Sequence, residues 1–211
     1  MSWNTLGATS KAANELREAM GGDDLVVFAL EQILGCHVVA YVKTTEGGHA
    51  DGLGIDRVLT ALVEGDDSVR RRNVEEKVIS YTNDMDFFAE SRMELNGVNI
   101  KVGWAFDTEK ETDILVQIYK DSHVRAWLFK PLRAWLLENR DRYPEVRGRQ
   151  VDEYLTFGRK VPQDDILQFE LGHCDPLADI PVPDAYDSPG WLRYWNALGE
   201  QSKVLARIAS N

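Results

Sequence analysis

Asp56, Glu75 and Lys77 are the residues of this chain whose types and spacing could do chemistry together. Glu75 and Lys77 stand two apart in Val74-Glu75-Glu76-Lys77-Val78, and Asp56 stands upstream in Gly54-Ile55-Asp56-Arg57. If both stretches are strands of a hairpin turning at Gly65-Asp66-Asp67, the two-residue period puts Glu75 and Lys77 on one face and Glu76 on the other. Two carboxylates and a lysine then converge on one point. Carboxylate oxygens are preferred ligands of hard divalent cations and leave positions open for water and phosphate. Such an ion activates water and neutralises charge on a phosphodiester under attack, while the lysine can orient or deprotonate the water or counter the growing negative charge. The main-chain carbonyl of Glu76 is placed to add a ligand. A Glu and a Lys two apart on a strand also commonly form no more than a solvated ion pair, so the spacing by itself does not decide between the two.

The elements that must position these side chains follow from periodicity. Ser10 to Met20 reads as a helix capped by Ser10 and stopped at Gly21-Gly22. A second helix begins at Asp23-Asp24, repeats Leu25, Phe28, Ala29, Ile33 and Leu34 at helical spacing, and ends at Gly35. Strands are expected at His37 to Val42, Gly54 to Val63, Val69 to Tyr81, Asp86 to Glu90, Val98 to Trp104, Thr112 to Tyr119 and Val124 to Phe129. Pro131 stands where a first helical residue would, opening a helix that runs to about Arg140. Prolines 176, 181, 183 and 189, after Pro162, mark an extended loop, and Gly190 to Ala209 resumes helical spacing through Trp191, Tyr194 and Trp195. The expected fold is α/β (α+β), a central mixed β-sheet flanked by helices with a C-terminal helical extension. The parallel pairing is expected across the later helix. The division is residues 1–160 as the main domain and 161–211 as a proline-containing loop and a helix packed on the domain or on a partner.

Composition narrows the function classes. With 211 residues, 44% of them hydrophobic, the chain can bury a real core. No run approaches the roughly 18 consecutive apolar residues of a membrane span, and Met1-Ser2-Trp3-Asn4 lacks the features of a signal peptide. A cytoplasmic protein without a membrane partner is expected. Cys36 and Cys174 lie far apart, with no metal-binding or disulfide spacing, and read as buried thiols. The four histidines share no zinc pattern, and no GxGxxG, GxxxxGK[ST] or GxSxG sequence occurs. A net charge of −11 argues against coating nucleic acid through bulk electrostatics. Local positive charge remains at Arg57 and Arg70-Arg71-Arg72, which are either phosphate contacts or a solvated face.

The order helix, strand, Gly-x-Asp strand, Glu-x-Lys strand and a further acidic strand resembles the PD-(D/E)xK, restriction-endonuclease-like nuclease superfamily. The likeness runs roughly from Asp24 to Arg140, through Ile55-Asp56, Val74-Glu75-Glu76-Lys77, Thr82-Asn83-Asp84 leading to Ala89-Glu90, and Thr112-Asp113-Ile114-Leu115-Val116. It departs from the motif where Ile55 replaces the proline. The resemblance implies a magnesium- or manganese-dependent deoxyribonuclease acting on DNA. Asp56, Glu75 and Lys77 would be catalytic, with Asp56, Glu75, the Glu76 carbonyl and a helical Glu31 as metal ligands, and Arg57, Arg70, Arg71 and Arg72 on the substrate. The rival expectation is an inactive nuclease-fold protein serving as a binding or inhibitory module. Its contact would be the helix carrying Trp191, Tyr194 and Trp195, which could also seal a homodimer.

Overall fold

The computed structural model describes residues 22–44, 49–63, 66–79, 86–119, 123–151 and 154–175. Helix α1 (Gly22–Leu34) buries Val26, Ala29 and Leu30 at the spacing of one helical face, and it ends at Gly35 with φ of +57°. Three antiparallel strands follow, β1 (Cys36–Lys43), β2 (Arg57–Val63) and β3 (Asp66–Ile79), with the one-turn helix α2 (His49–Gly52) between the first two.

The chain then leaves this sheet for a hairpin, β4 (Phe87–Leu95) and β5 (Val98–Val102). Its turn is Asn96-Gly97, with φ of +51° and +80°, the conformation for which Asn-Gly is preferred in two-residue hairpin loops. Strand β6 (Ile114–Tyr119) returns to pair parallel with β3, and β7 (Val124–Leu128) lies antiparallel to β6. Helix α3 (Phe129–Glu138) and a 3₁₀ turn at Arg140–Arg142 lead to the antiparallel pair β8 (Glu145–Val151) and β9 (Tyr154–Val161). A short helix α4 (Gln163–Ile166), a 3₁₀ turn at Leu167–Phe169 and β10 (Glu170–Cys174) complete the described chain.

The protein is thus α+β, with two sheets. One is six-stranded and mixed, in the order β1-β2-β3-β6-β7-β10; the other is four-stranded and antiparallel, in the order β5-β4-β9-β8. On one face of the mixed sheet α1 packs over Val38, Leu59, Val74, Ile114, Val116, Ile118 and Val124. On the other face Leu115 and Trp127 meet Phe87, Ala89 and Val161 of the second sheet and Phe129, Leu132 and Leu136 of α3. All six residues of β6 are buried, as expected of a strand covered on both faces, and its sequence is apolar but for Gln117, whose Oε1 accepts from Trp127 Nε1 and Tyr119 OH.

Several expectations change. A single central sheet was expected, but the segments around Glu90 and Lys160 form a second one. The parallel crossover from β3 to β6 runs through the β4–β5 hairpin rather than through the later helix, which starts at Phe129 and holds Pro131 in its first turn, where a main-chain N–H has no helical partner. Beyond residue 160, β10 is an edge strand of the main sheet, paired with β7. The helix expected at 10–20, the turn at Thr82-Asn83-Asp84 and the helix with Trp191, Tyr194 and Trp195 lie outside the described residues. Among the described residues no helix is long and apolar enough to cross a membrane.

Asp113 ties the crossover together. Its N–H donates to Asn73 O at 2.9 Å and its carbonyl accepts from Phe129 N. Its carboxylate accepts from Asn73 N at 3.0 Å and from Lys130 Nζ at 2.6 Å. Burial would raise this carboxyl, but the Lys130 and Asn73 donors outweigh it and hold Asp113 below the usual carboxylate range. A carboxyl lowered on folding stabilises the fold above its unfolded value of about 4, and the contribution fades as pH falls through the folded value. Lys130 is more than half exposed, so most of the effect rests on the main-chain bond. Asp113→Ala should therefore cost about 1–2 kcal/mol at neutral pH. In urea unfolding the gap to wild type should narrow below about pH 4, and an equal gap at both pH values would refute this linkage.

Candidate functional site

Strand β3 is twice as long as β2 and overruns it. The last paired position is Arg57 opposite Val74, so beyond it, among the described residues, the β2 edge of β3 has no neighbouring strand, while β6 continues on the other edge through Ile79. Asp56, one residue ahead of β2, fills this gap. Its N–H donates to Val74 O at 2.9 Å, and its Oδ2 accepts the Glu76 N–H at 2.8 Å. The carboxylate thereby takes the place of the strand carbonyl that Glu76 lacks. Because N–H and C=O of one strand residue point to the same edge, the Glu76 carbonyl opens toward Asp56 as well.

Alternation along β3 separates its neighbours as expected. Glu75 and Lys77 project to the face of the second sheet, where Lys77 Nζ lies 2.6 Å from Glu75 Oε1. Glu75 keeps 3% of its side-chain surface exposed and Lys77 keeps 30%, so the ion pair is open to solvent from the lysine side. The Thr112 hydroxyl stands 3.3 Å from Glu75 Oε2 and 2.5 Å from Gly54 O, one proton serving two acceptors. Lys77 Nζ also lies 5.7 Å from the Trp104 ring centroid.

The charges shift one another. Burial raises the Asp56 carboxyl above its ordinary value, with Glu75 and Glu76 adding to it and Lys77 and the Glu76 N–H opposing. Burial would lower Lys77, but Glu75 and Asp56 outweigh it, so the lysine is held as an ammonium. Burial also raises Glu90, helped by Glu75 and opposed by Lys77 and Lys101.

The remaining expected site residues do not converge. The Glu76 side chain lies on the α1 face, where Oε1 accepts from Tyr41 OH at 2.6 Å and Oε2 is 3.6 Å from Arg57 Nε. Arg57 is buried there, bidentate to Asp23 at 2.9 and 3.0 Å and over the Tyr41 ring; the substrate contact expected of it is replaced by a structural role. Glu31 accepts from His37 Nδ1 and Val38 N, both at 3.0 Å. Val38 is six residues along β1 from Thr44, whose N–H reaches Asp56 O, so Glu31 sits about 20 Å from Asp56, at the other end of the sheet. It is not a ligand of this site. Arg70, Arg71 and Arg72 are exposed on β3, and alternation puts only Arg71 on the Glu75 face, about 13 Å away.

Sequence reasoning gave no role to Gly54, Thr112 or Lys110. Gly54 has φ of +70°, and a Cβ on it would lie 2.5 Å from Lys110 Cδ, 2.7 Å from Glu75 Oε2 and 3.0 Å from Thr112 Oγ1. The signal for it was the glycine two residues ahead of the aspartate. Among the described residues no group of three or more His, Cys, Asp or Glu side chains could hold a metal ion. The available oxygen donors are two carboxylates, Asp56 and Glu75, with the Glu76 carbonyl. They suit a hard divalent cation in kind, and burial, the chief cause of the raised Asp56 carboxyl, is a desolvation that a bound cation would offset.

No protein-family model, no curated protein and no solved structure matches the chain.

Gly54→Ala combines a left-handed backbone with collisions against Glu75 and Thr112. It should destabilise the protein by roughly 1–3 kcal/mol, read as a lower urea midpoint, and a midpoint equal to wild type would show that the loop has another conformation.

Proposed function

We propose that this chain is a metal-dependent nuclease that hydrolyses phosphodiester bonds in DNA, built on the PD-(D/E)xK, restriction-endonuclease-like plan. The observation that carries this reading is the meeting of the Asp56 carboxylate and the Glu75–Lys77 pair where β3 outruns β2. A structural ion pair needs no third charged group, and here Asp56 and Lys77 also interact. Asp56 and Glu75, with the Glu76 carbonyl, would hold Mg²⁺ or Mn²⁺, which when bound would supply a Lewis acid for the phosphate and acidify a water.

The chain's own residues have distinct tasks. Glu75 and Asp56 keep Lys77 protonated, so of the roles open to the lysine it takes the cationic one, countering charge as it develops on the phosphate oxygens. Its partly exposed side chain reaches the solvent side, where a substrate phosphate could meet it. Thr112 and Gly54 confine Glu75, which limits its rotamers. Arg71, on the same face of β3, is the arginine placed to meet a neighbouring phosphate of the same strand.

A second reading has its own support. One oxygen of Glu75 is already engaged by Lys77, and the described residues hold no group of three ligands. Both suit a nuclease-like scaffold that binds without cutting.

Cleavage of duplex and single-stranded DNA with Mg²⁺ or Mn²⁺, together with calorimetric Mn²⁺ titration, separates the two. Lys77→Ala, Asp56→Asn and Glu75→Gln should each lower cleavage by roughly 10²-fold or more. Asp56→Asn should also lose Mn²⁺ binding, with the circular dichroism spectrum retained. Wild-type protein that neither binds Mn²⁺ nor cuts would retire the nuclease reading in favour of the scaffold.

A further inference from the structure

A second lysine, Lys110, lies beside Glu75. Its surface is 6% exposed, a burial that charged side chains reach almost only when paired. Yet among the described residues its ammonium has no ion-pair or hydrogen-bond partner. Nor is that ammonium sealed from water, as the buried Arg125 Nε is. The stem packs against the site: the point that a Cβ on Gly54 would occupy is 2.5 Å from Lys110 Cδ and 2.7 Å from Glu75 Oε2, so these two atoms lie within about 5 Å of each other. The ammonium is two bonds, about 2.5 Å, further on. It is therefore within about 8 Å of the carboxylate, yet outside the roughly 4 Å of an ion pair. The backbone that carries it is fixed from two sides. Arg133 Nη1 of α3 donates to Lys110 O and Asp107 O, both at 2.8 Å, and the Glu111 N–H donates to Leu53 O, next to Gly54, at 2.8 Å.

A lysine that buries its stem and turns its head to bulk water needs no ligand. This head is held within a ligand's width of Glu75, whose Oε1 is engaged by Lys77 at 2.6 Å. Lys77 is thus neutralised by a carboxylate of the protein, and Lys110 is not. We infer that Lys110 is the phosphate-binding residue of the site, its ammonium donating to a nonbridging oxygen of a polynucleotide phosphodiester. A cation about 2 Å from a Glu75 oxygen and a phosphate oxygen about 3 Å from the ammonium fit within the span between the two side chains. The inference deepens the nuclease reading and rests on it for the identity of the phosphate.

One test needs neither a variant fold nor catalysis. In protein carrying ¹³C at the lysine ε-methylenes, the Lys110 signal, assigned by its loss in Lys110→Arg, should shift saturably as dimethyl phosphate is added with Mg²⁺. Chloride added to the same ionic strength should not move it so. A signal that moves no further with the phosphodiester than with chloride overturns the inference. The second test uses Lys110→Met, which keeps the buried stem and removes the charge. Its urea midpoint should equal or exceed that of wild type, because the ammonium has no protein partner to lose; a lowered midpoint overturns the inference. Binding of a short DNA duplex with Ca²⁺, followed by fluorescence anisotropy across a salt series, should weaken several-fold in Lys110→Met. The slope of log affinity against log salt should fall by about one, and Lys110→Arg should retain it. An unchanged slope in Lys110→Met also overturns the inference. A wild type that takes dimethyl phosphate at Lys110 but does not cut DNA would retire the nuclease reading and leave the anion site standing.

Discussion

The structure of the site depends on one mismatch in strand length. Strand β3 extends past β2 while still paired to β6, and the Glu76 N–H left without a strand partner is taken by the Asp56 carboxylate. An unpaired buried donor is costly, so this single bond fixes where Asp56 must be. Among the described residues no strand pairs with this edge of β3 beyond Val74, in the stretch from which Glu75 and Lys77 project to the face of the second sheet.

The same alternation that brings Glu75 and Lys77 together sends Glu76 into a different electrostatic setting. On the α1 face, Glu76, Arg57, Asp23 and Tyr41 satisfy one another, joining helix to sheet. On the other face Lys77 pairs with Glu75 and also interacts with Asp56. Burying an ion pair gives little net stability, since desolvation offsets most of the attraction. A fold that needed only stability would do as well with apolar residues there, as Leu115 in register with Glu75 on the same face illustrates.

Much of this was legible in the chain. The positions of α1 and of strands β1 to β3, β6 and β7 followed from apolar spacing, and the separation of Glu75 and Lys77 from Glu76 followed from the strand period alone. Strands β8 and β9 were hidden because Arg147, Arg149, Arg159 and Lys160 interrupt any apolar alternation, and the two residues between the strands, Asp152 and Glu153, carry no glycine or asparagine hairpin signal. Glu31 looked like a ligand because it lies on the helix ahead of the first strand; spacing along a helix cannot say which end of the sheet that residue meets. Arg57 looked available because arginine is usually exposed, and its burial depends on Asp23 and Glu76, distant in sequence. The bulge at Glu90 and the loop closing on it from β5 left no signal in the chain.

An acidic protein acting on a polyanion must reverse its local charge before the two can meet. Ionised, the carboxylates of Asp56 and Glu75 repel each other and Lys77 opposes this, while burial is the chief reason that Asp56 holds a proton more tightly than usual. Phosphate would add to the same repulsion. On the proposed reading, whatever cation neutralises Asp56 and Glu75 therefore also prepares the site for phosphate, and by linkage phosphate strengthens the hold on the cation by the same factor. Binding of either ligand would then be weak alone and strong together. The net charge of −11, which argues against a protein that coats nucleic acid, is compatible with one that engages it only at a site whose charge has been switched by a bound ion.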